Sequence, residues 1–90
     1  MKIIILDDRY RLSRDGFNYA IRFHYYHPKY DRLKDILSKM YGARWTELST
    51  YDSNYDPKNY EWATYHAKKQ NYWYIGVRHK EALTAALLGM

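Results

Sequence analysis

The clearest pattern in the chain is the alternation from Phe17 to Tyr26. Phe17, Tyr19, Ile21, Phe23 and Tyr25 fall on one face of an extended chain, and Asn18, Arg22 and His24 fall on the other, with Ala20 and Tyr26. Period two over this length predicts a half-buried β-strand, because successive strand side chains point to opposite faces. Upstream, residues 3–12 open on the aliphatic run Ile3–Leu6 and predict a first strand, kinked at Asp7-Asp8. Ser13-Arg14-Asp15-Gly16 predicts the turn between the two, with glycine supplying a positive φ.

The period then lengthens. Tyr30, Leu33, Ile36, Leu37 and Met40 recur at helical spacing and form one apolar stripe. Pro28 suits a first helical turn, and Gly42 is free to adopt the left-handed stop. Asp31 and Lys39 lie at the ends that the helix dipole favours, and Asp35 pairs with Lys39 at i,i+4. The spacing predicts a helix over 28–41. Residues 43–48 resume as a strand, and Ser49 to Asn59 reads as a loop rich in Ser, Asn, Asp and Pro. Residues 60–66 and 71–78 predict a hairpin joined by Ala67-Lys68-Lys69-Gln70. In its second arm Trp73, Ile75 and Val77 share one face, while Tyr72, Tyr74 and Arg78 take the other. A short helix over 80–88 turns Leu83, Ala86 and Leu87 inward. The order ββαβββα predicts a single α+β domain over residues 1–90, a two-layer fold with an antiparallel sheet and both helices on one face. Alternation alone does not say which sheet face the helices cover.

Composition narrows the function. The chain of 11.0 kDa is the size of one small domain. With 47% hydrophobic residues it is too apolar for a disordered chain. The absence of cysteine excludes a disulfide scaffold, a cysteine zinc site, an iron–sulfur cluster and a thiol nucleophile. The aliphatic run Ile3–Leu6 is too short to span a membrane. Its end at Asp7-Asp8 is too early for a signal peptide, so a cytoplasmic protein is expected, in the host cytoplasm if the chain is viral. His24, His27, His66 and His79 form no metal-ligand spacing. Asp52-x-Asn54-x-Asp56 lacks the glycine and the glutamate of a calcium loop, having Pro57 and Ala63 at those positions. No nucleophile elbow and no glycine-rich phosphate loop occurs. A non-catalytic protein without metal or cofactor is expected.

Charge points elsewhere. Residues 9–44 hold nine basic side chains (Arg9, Arg11, Arg14, Arg22, Lys29, Arg32, Lys34, Lys39 and Arg44) against three acids, a difference of +6 where the whole chain carries +5. Six of the twelve tyrosines are interleaved with them, and Trp45 follows Arg44 directly. Cations that meet phosphates, beside rings that stack on bases, suit nucleic-acid binding. If the first two strands pair, Arg9, Arg11, Arg22 and His24 are expected on the open sheet face.

One stretch adds to this. An amphipathic basic helix followed at once by Gly42-Ala43-Arg44-Trp45 resembles the HARP-type substrate-recognition domain of Swi/Snf-class annealing helicases. In that likeness Tyr19–Tyr26 is the strand and Pro28–Tyr41 the helix. Tyr72-Trp73-Tyr74-Ile75 is the second tryptophan strand and Glu81–Leu88 the closing helix. Between the two tryptophan strands this chain carries an additional acidic loop and a strand bearing Trp62. The likeness covers no motor domain, so no helicase activity is expected from it. The resemblance implies a module that binds branched or single-stranded DNA, with Arg44 and Trp45 as the positions carried over. The alternative for Trp45 is burial beneath the turn.

Two function classes therefore stand side by side. The first is a small nucleic-acid-binding module for single-stranded or forked DNA, or RNA, with Arg9, Arg11, Arg22, Lys29, Arg32, Arg44, Trp45, Tyr74 and Arg78 as its contacts. The second is a phage-type inhibitor or adaptor that docks on a host defence complex or its guide RNA. There the loop tyrosines Tyr51, Tyr55 and Tyr60 would form the adaptable surface. A pocket for a phosphorylated small ligand ranks third. A homodimer is compatible with each.

Overall fold

A computed structural model of the chain describes residues 2–24, 27–46 and 56–90. Its elements are β1 (Ile3–Ile5), α1 (Arg11–Arg14), β2 (Tyr19–Phe23), α2 (Pro28–Tyr41), β3 (Trp45–Thr46), β4 (Trp62–Ala67), β5 (Tyr72–Val77) and α3 (Lys80–Leu88), with a 3₁₀ turn at Pro57–Asn59. The five strands form one sheet in the order β1-β2-β5-β4-β3. This is an α+β domain, and α2 and α3 pack together on one face of the sheet, as the sequence predicts.

Two details differ from the sequence reading. The first strand ends at Ile5, and Arg9 and Arg11 are not on it. The Asp7 carboxylate accepts the Arg9 backbone N–H at 3.0 Å, and the Asp7 carbonyl accepts the Tyr10 N–H at 3.0 Å. This local turn competes with the strand ladder and wins, so the chain coils into α1. Secondly, the sheet is mixed. β3 runs parallel to β4, with Trp45 opposite Ala63, while all other pairs are antiparallel. Residues 47–61 separate the two strands, a connection long enough for a parallel crossover.

Helix α2 begins where the sequence expects. The His27 ring accepts the Lys29 N–H at its Nδ1 at 3.0 Å, and Pro28 occupies the first turn. At its end Gly42 takes φ +83°, and its N–H returns to the Ser38 carbonyl at 2.8 Å. Trp62 Nε1 donates to the Gly42 carbonyl at 2.9 Å, which fixes the helix exit against β4.

The sheet carries a core on each side. Beneath α2 and α3 lie Ile21, Phe23, Ile75, Val77 and Trp62, meeting Tyr30, Leu33, Leu37, Ala82, Leu83 and Ala86 from the helices. The opposite face is covered by the segment from Leu6 to Phe17, with no long helix. Here one row of residues crosses all five strands in register: Ile4, Ala20, Gly76, Ala63 and Trp45. Its ends are bulky and its centre is small. Leu12 and Phe17 settle into that centre, and Phe17 stacks on Trp45 with ring centroids 6.1 Å apart. Among the described residues, no helix is long and apolar enough to cross a membrane.

A Cβ on Gly76 would lie 2.9 Å from Leu12 Cδ1 and 3.5 Å from Phe17 Cβ. Gly76→Val is therefore expected to lift this cover and lower stability by about 1–3 kcal/mol, the usual cost of overpacking. Urea unfolding of the variant beside the parent measures it; an unchanged midpoint would refute close packing at this row.

Candidate functional site

The cover from Leu6 to Phe17 reaches only part of its face. Beyond the row of small residues the next row across β2, β5 and β4 is Arg22, Tyr74 and Tyr65. The row after that pairs Tyr72 with Ala67, and His24 meets the Tyr72 ring edge-on at 4.9 Å. Together with Tyr10 from the turn before α1, these residues build a groove. It has a volume of about 380 Å³ and is lined by Arg9, Tyr10, Arg11, Tyr65, Tyr72 and Tyr74, with Gln70 from the hairpin turn.

The rings are mutually braced. Tyr10 meets Tyr74 edge-on at 5.9 Å, Tyr72 meets Tyr74 edge-on at 6.4 Å, and Tyr65 lies 6.3 Å from Tyr74. Tyr74 is the buried centre of this set, and Tyr10, Tyr65 and Tyr72 are half-buried around it. The Arg22 guanidinium lies over the Tyr72 ring, 4.6 Å from its centroid. That contact keeps the cation close to the groove, beside the Tyr74 hydroxyl. Arg9 is exposed at the rim and forks onto the Asp7 carboxylate, at 2.9 Å from Nη2 and 3.1 Å from Nε. The same bonds hold the Asp7 carboxyl below its ordinary range and keep it ionised. Arg11 reaches Asp15 at 3.8 Å.

The sequence-predicted contacts separate under this geometry. Arg9, Arg11 and Tyr74 come together at the groove, and Arg22 lies beside it over Tyr72, although Arg9 and Arg11 arrive by a turn and not by a strand. Lys29 and Arg32 are exposed on α2, which packs on the opposite face, so they cannot join it. Arg44 is also exposed on the helix side, in an open hollow shared with Asp31, Lys34 and Asp35. Trp45 is 2% exposed and packed on Phe17, so it has no face to offer a base. Its alternative as a buried residue beneath the turn is the one observed.

Arg78 is a structural clamp. Its Nε donates to the Tyr60 carbonyl at 2.7 Å and its Nη1 to the Asp15 carbonyl at 3.3 Å. Its Nη2 donates to the Pro57 carbonyl, and the guanidinium lies 4.5 Å from the Phe17 ring centroid. With these donors engaged, Arg78 is not a phosphate contact. Tyr60 is half-buried against the Leu12 and Phe17 core. Tyr51 and Tyr55 lie outside the described residues.

Tyr10, Tyr65 and Tyr72 were not among the sequence candidates. Tyr72 shares its sequence face with Tyr74, and that alternation was the available signal. Tyr10 reaches the groove only because residues 7–14 coil, which the aliphatic start of the segment conceals.

Truncating the clamp removes three hydrogen bonds at once. Arg78→Ala is expected to cost about 2–4 kcal/mol, since hydrogen bonds to charged groups are the stronger class and their loss strands desolvated partners. Chemical denaturation reads the loss; a change below about 0.5 kcal/mol, the range of ordinary surface substitutions, would remove the clamp role. A second expectation concerns pH. Burial pushes the Tyr30 and Tyr74 hydroxyls above their ordinary value of 10.0, with the Arg22 guanidinium opposing the shift at Tyr74. The folded state therefore holds these protons more tightly than the unfolded chain. Their contribution is fully present below pH 10.0 and declines as pH rises through the folded values. Stability measured from pH 8 to 11 should fall above about 10, and Tyr30→Phe with Tyr74→Phe should flatten that fall. An equally steep fall in the double variant would assign the effect to other groups.

No protein-family model, no curated protein and no solved structure matches this chain.

Proposed function

We propose that this protein is a non-catalytic nucleic-acid-binding module that takes a single-stranded segment, including the unpaired arm of a fork, into the tyrosine groove. The observation that carries this reading is a groove walled by Tyr10, Tyr65, Tyr72 and Tyr74 and rimmed by Arg9 and Arg11, with the Arg22 guanidinium beside it, laid over Tyr72. Arginines supply donors for phosphate oxygens, and the ring faces supply stacking surface for bases. Each base–aromatic stack contributes about 1–3 kcal/mol and is tolerant of sequence. Paired bases are already stacked on their neighbours and present edges, not faces, so duplex gains only the phosphate contacts. A preference for unpaired strands follows.

The division of basic residues between the two faces gives the test its controls. Fluorescence anisotropy with labelled single-stranded, forked and duplex DNA, and with RNA, is run across a salt series. Three phosphates neutralised by Arg9, Arg11 and Arg22 predict a log-affinity slope against log salt of about −2 on single strands. Arg22→Glu and Tyr72→Ala are expected to weaken binding at least tenfold. Lys29→Glu with Arg32→Glu, on the helix face, should leave a near-parental affinity apart from a small long-range charge effect. Absence of binding at low salt by the folded parent would overturn the proposal. Loss confined to the helix-face variant would move the site off the groove.

A further inference from the structure

We propose that the outer edge of β1 pairs with β1 of a second copy, joining two sheets into one antiparallel sheet. β1 lies at one end of the strand order and has a neighbour on one side only among the described residues. Proteins blunt such edges with proline, charge, bulges or very short strands. β1 is short, but its three residues Ile3-Ile4-Ile5 carry no proline and no charge, and Ile5 is 76% exposed.

The backbone is set for pairing. The Leu6 N–H binds the Asn18 carbonyl at 2.8 Å, which extends the contact of β1 with β2. In an antiparallel ladder the backbone groups of successive residues point alternately to either side. Leu6 and Ile4 thus turn theirs toward β2, and Ile3 and Ile5 turn theirs outward. Two copies centred on Ile4 then place Ile3 opposite Ile5 twice over, each pair exchanging both of its backbone hydrogen bonds. The same register seats the exposed Ile5 beside Ile3 of the other copy, on the helix-bearing face.

Charge selects the direction. Lys2 stands at one end of β1 and Asp7-Asp8 at the other. Antiparallel pairing brings the lysine of one copy to the acidic end of its neighbour, whereas parallel pairing would align like charges. Self-complementarity of this kind favours a second copy over an unrelated strand. The two-fold axis stands normal to the sheet, so both tyrosine grooves open on the same side.

The test is the oligomeric state and its register, measured without nucleic acid. Sedimentation equilibrium is run up to about 1 mM protein, the range of weak association. The mass of the parent is expected to rise from 11.0 kDa toward twice that value. Ile5→Lys replaces an exposed side chain and is expected to fold and remain monomeric. Independently, amide hydrogen exchange of the parent should slow at Ile3 and Ile5 as concentration rises, with Ile4 protected throughout. A parent that stays monomeric at about 1 mM overturns the proposal. So does exchange at Ile3 and Ile5 that ignores concentration, or a doubled mass that a folded Ile5→Lys retains.

Discussion

The arrangement depends on how closely the chain from Leu6 to Phe17 approaches the centre of the sheet. That approach requires Ala20, Gly76 and Ala63 to stand in register on three adjacent strands. The nearest side-chain atom, Leu12 Cδ1, sits where a Cβ at Gly76 would be in collision. A two-layer α+β fold covers one face of its sheet with helices and must find something for the other. Here a short, mostly irregular segment serves, because it is pinned at both ends. Asp7 and its turn hold one end, and Arg78 holds the other through the Asp15 carbonyl.

The partial reach of that cover creates the groove. Where the row of small residues ends, the row of Arg22, Tyr74 and Tyr65 begins, and the change in side-chain volume forms a step. Tyr74 belongs to both sides of the step: it is 6% exposed and packs with Leu6, Leu12 and Phe17, yet it lines the groove. Burial alone would favour an aliphatic residue at such a position. A tyrosine keeps a polar hydroxyl near Arg22, and burial raises the hydroxyl's pKa while the guanidinium tempers the shift.

Much of the scaffold was legible in the sequence, because it follows from two simple periods. The alternation through β2 and β5 assigned Tyr19, Ile21, Phe23, Trp73, Ile75 and Val77 to their observed face under the helices, but Phe17, which it placed with them, lies before β2 begins and packs in the opposite core against Trp45. The caps at Pro28 and Gly42 located α2. What escaped depends on contacts between distant segments. The reach of Arg78 to Asp15, Pro57 and Tyr60 spans most of the chain and leaves no local signature. The same holds for Trp45, whose burial requires Phe17 above it and Ala63 beside it. Coiling at Arg11–Arg14 escaped for the opposite reason: it is local, but side-chain bonding by Asp7 overrode the hydrophobic pattern.

Charge summed along the sequence is a different quantity from charge on a face. The excess between residues 9 and 44 is divided by the sheet itself, with Arg9, Arg11 and Arg22 on one side and Lys29, Arg32 and Arg44 on the other. Neither side presents the single dense patch that the total suggests, and acids are paired into both, as Asp7 with Arg9 and Asp31 with Lys34. Long-range attraction is therefore modest and screened at physiological salt. In the proposed function, discrimination would rest on short-range fit to the rings. The floor of the groove is also the wall of a packed core, so its rings are held before any partner arrives. On the proposed function, little side-chain entropy would be lost on association, which favours binding by a small surface.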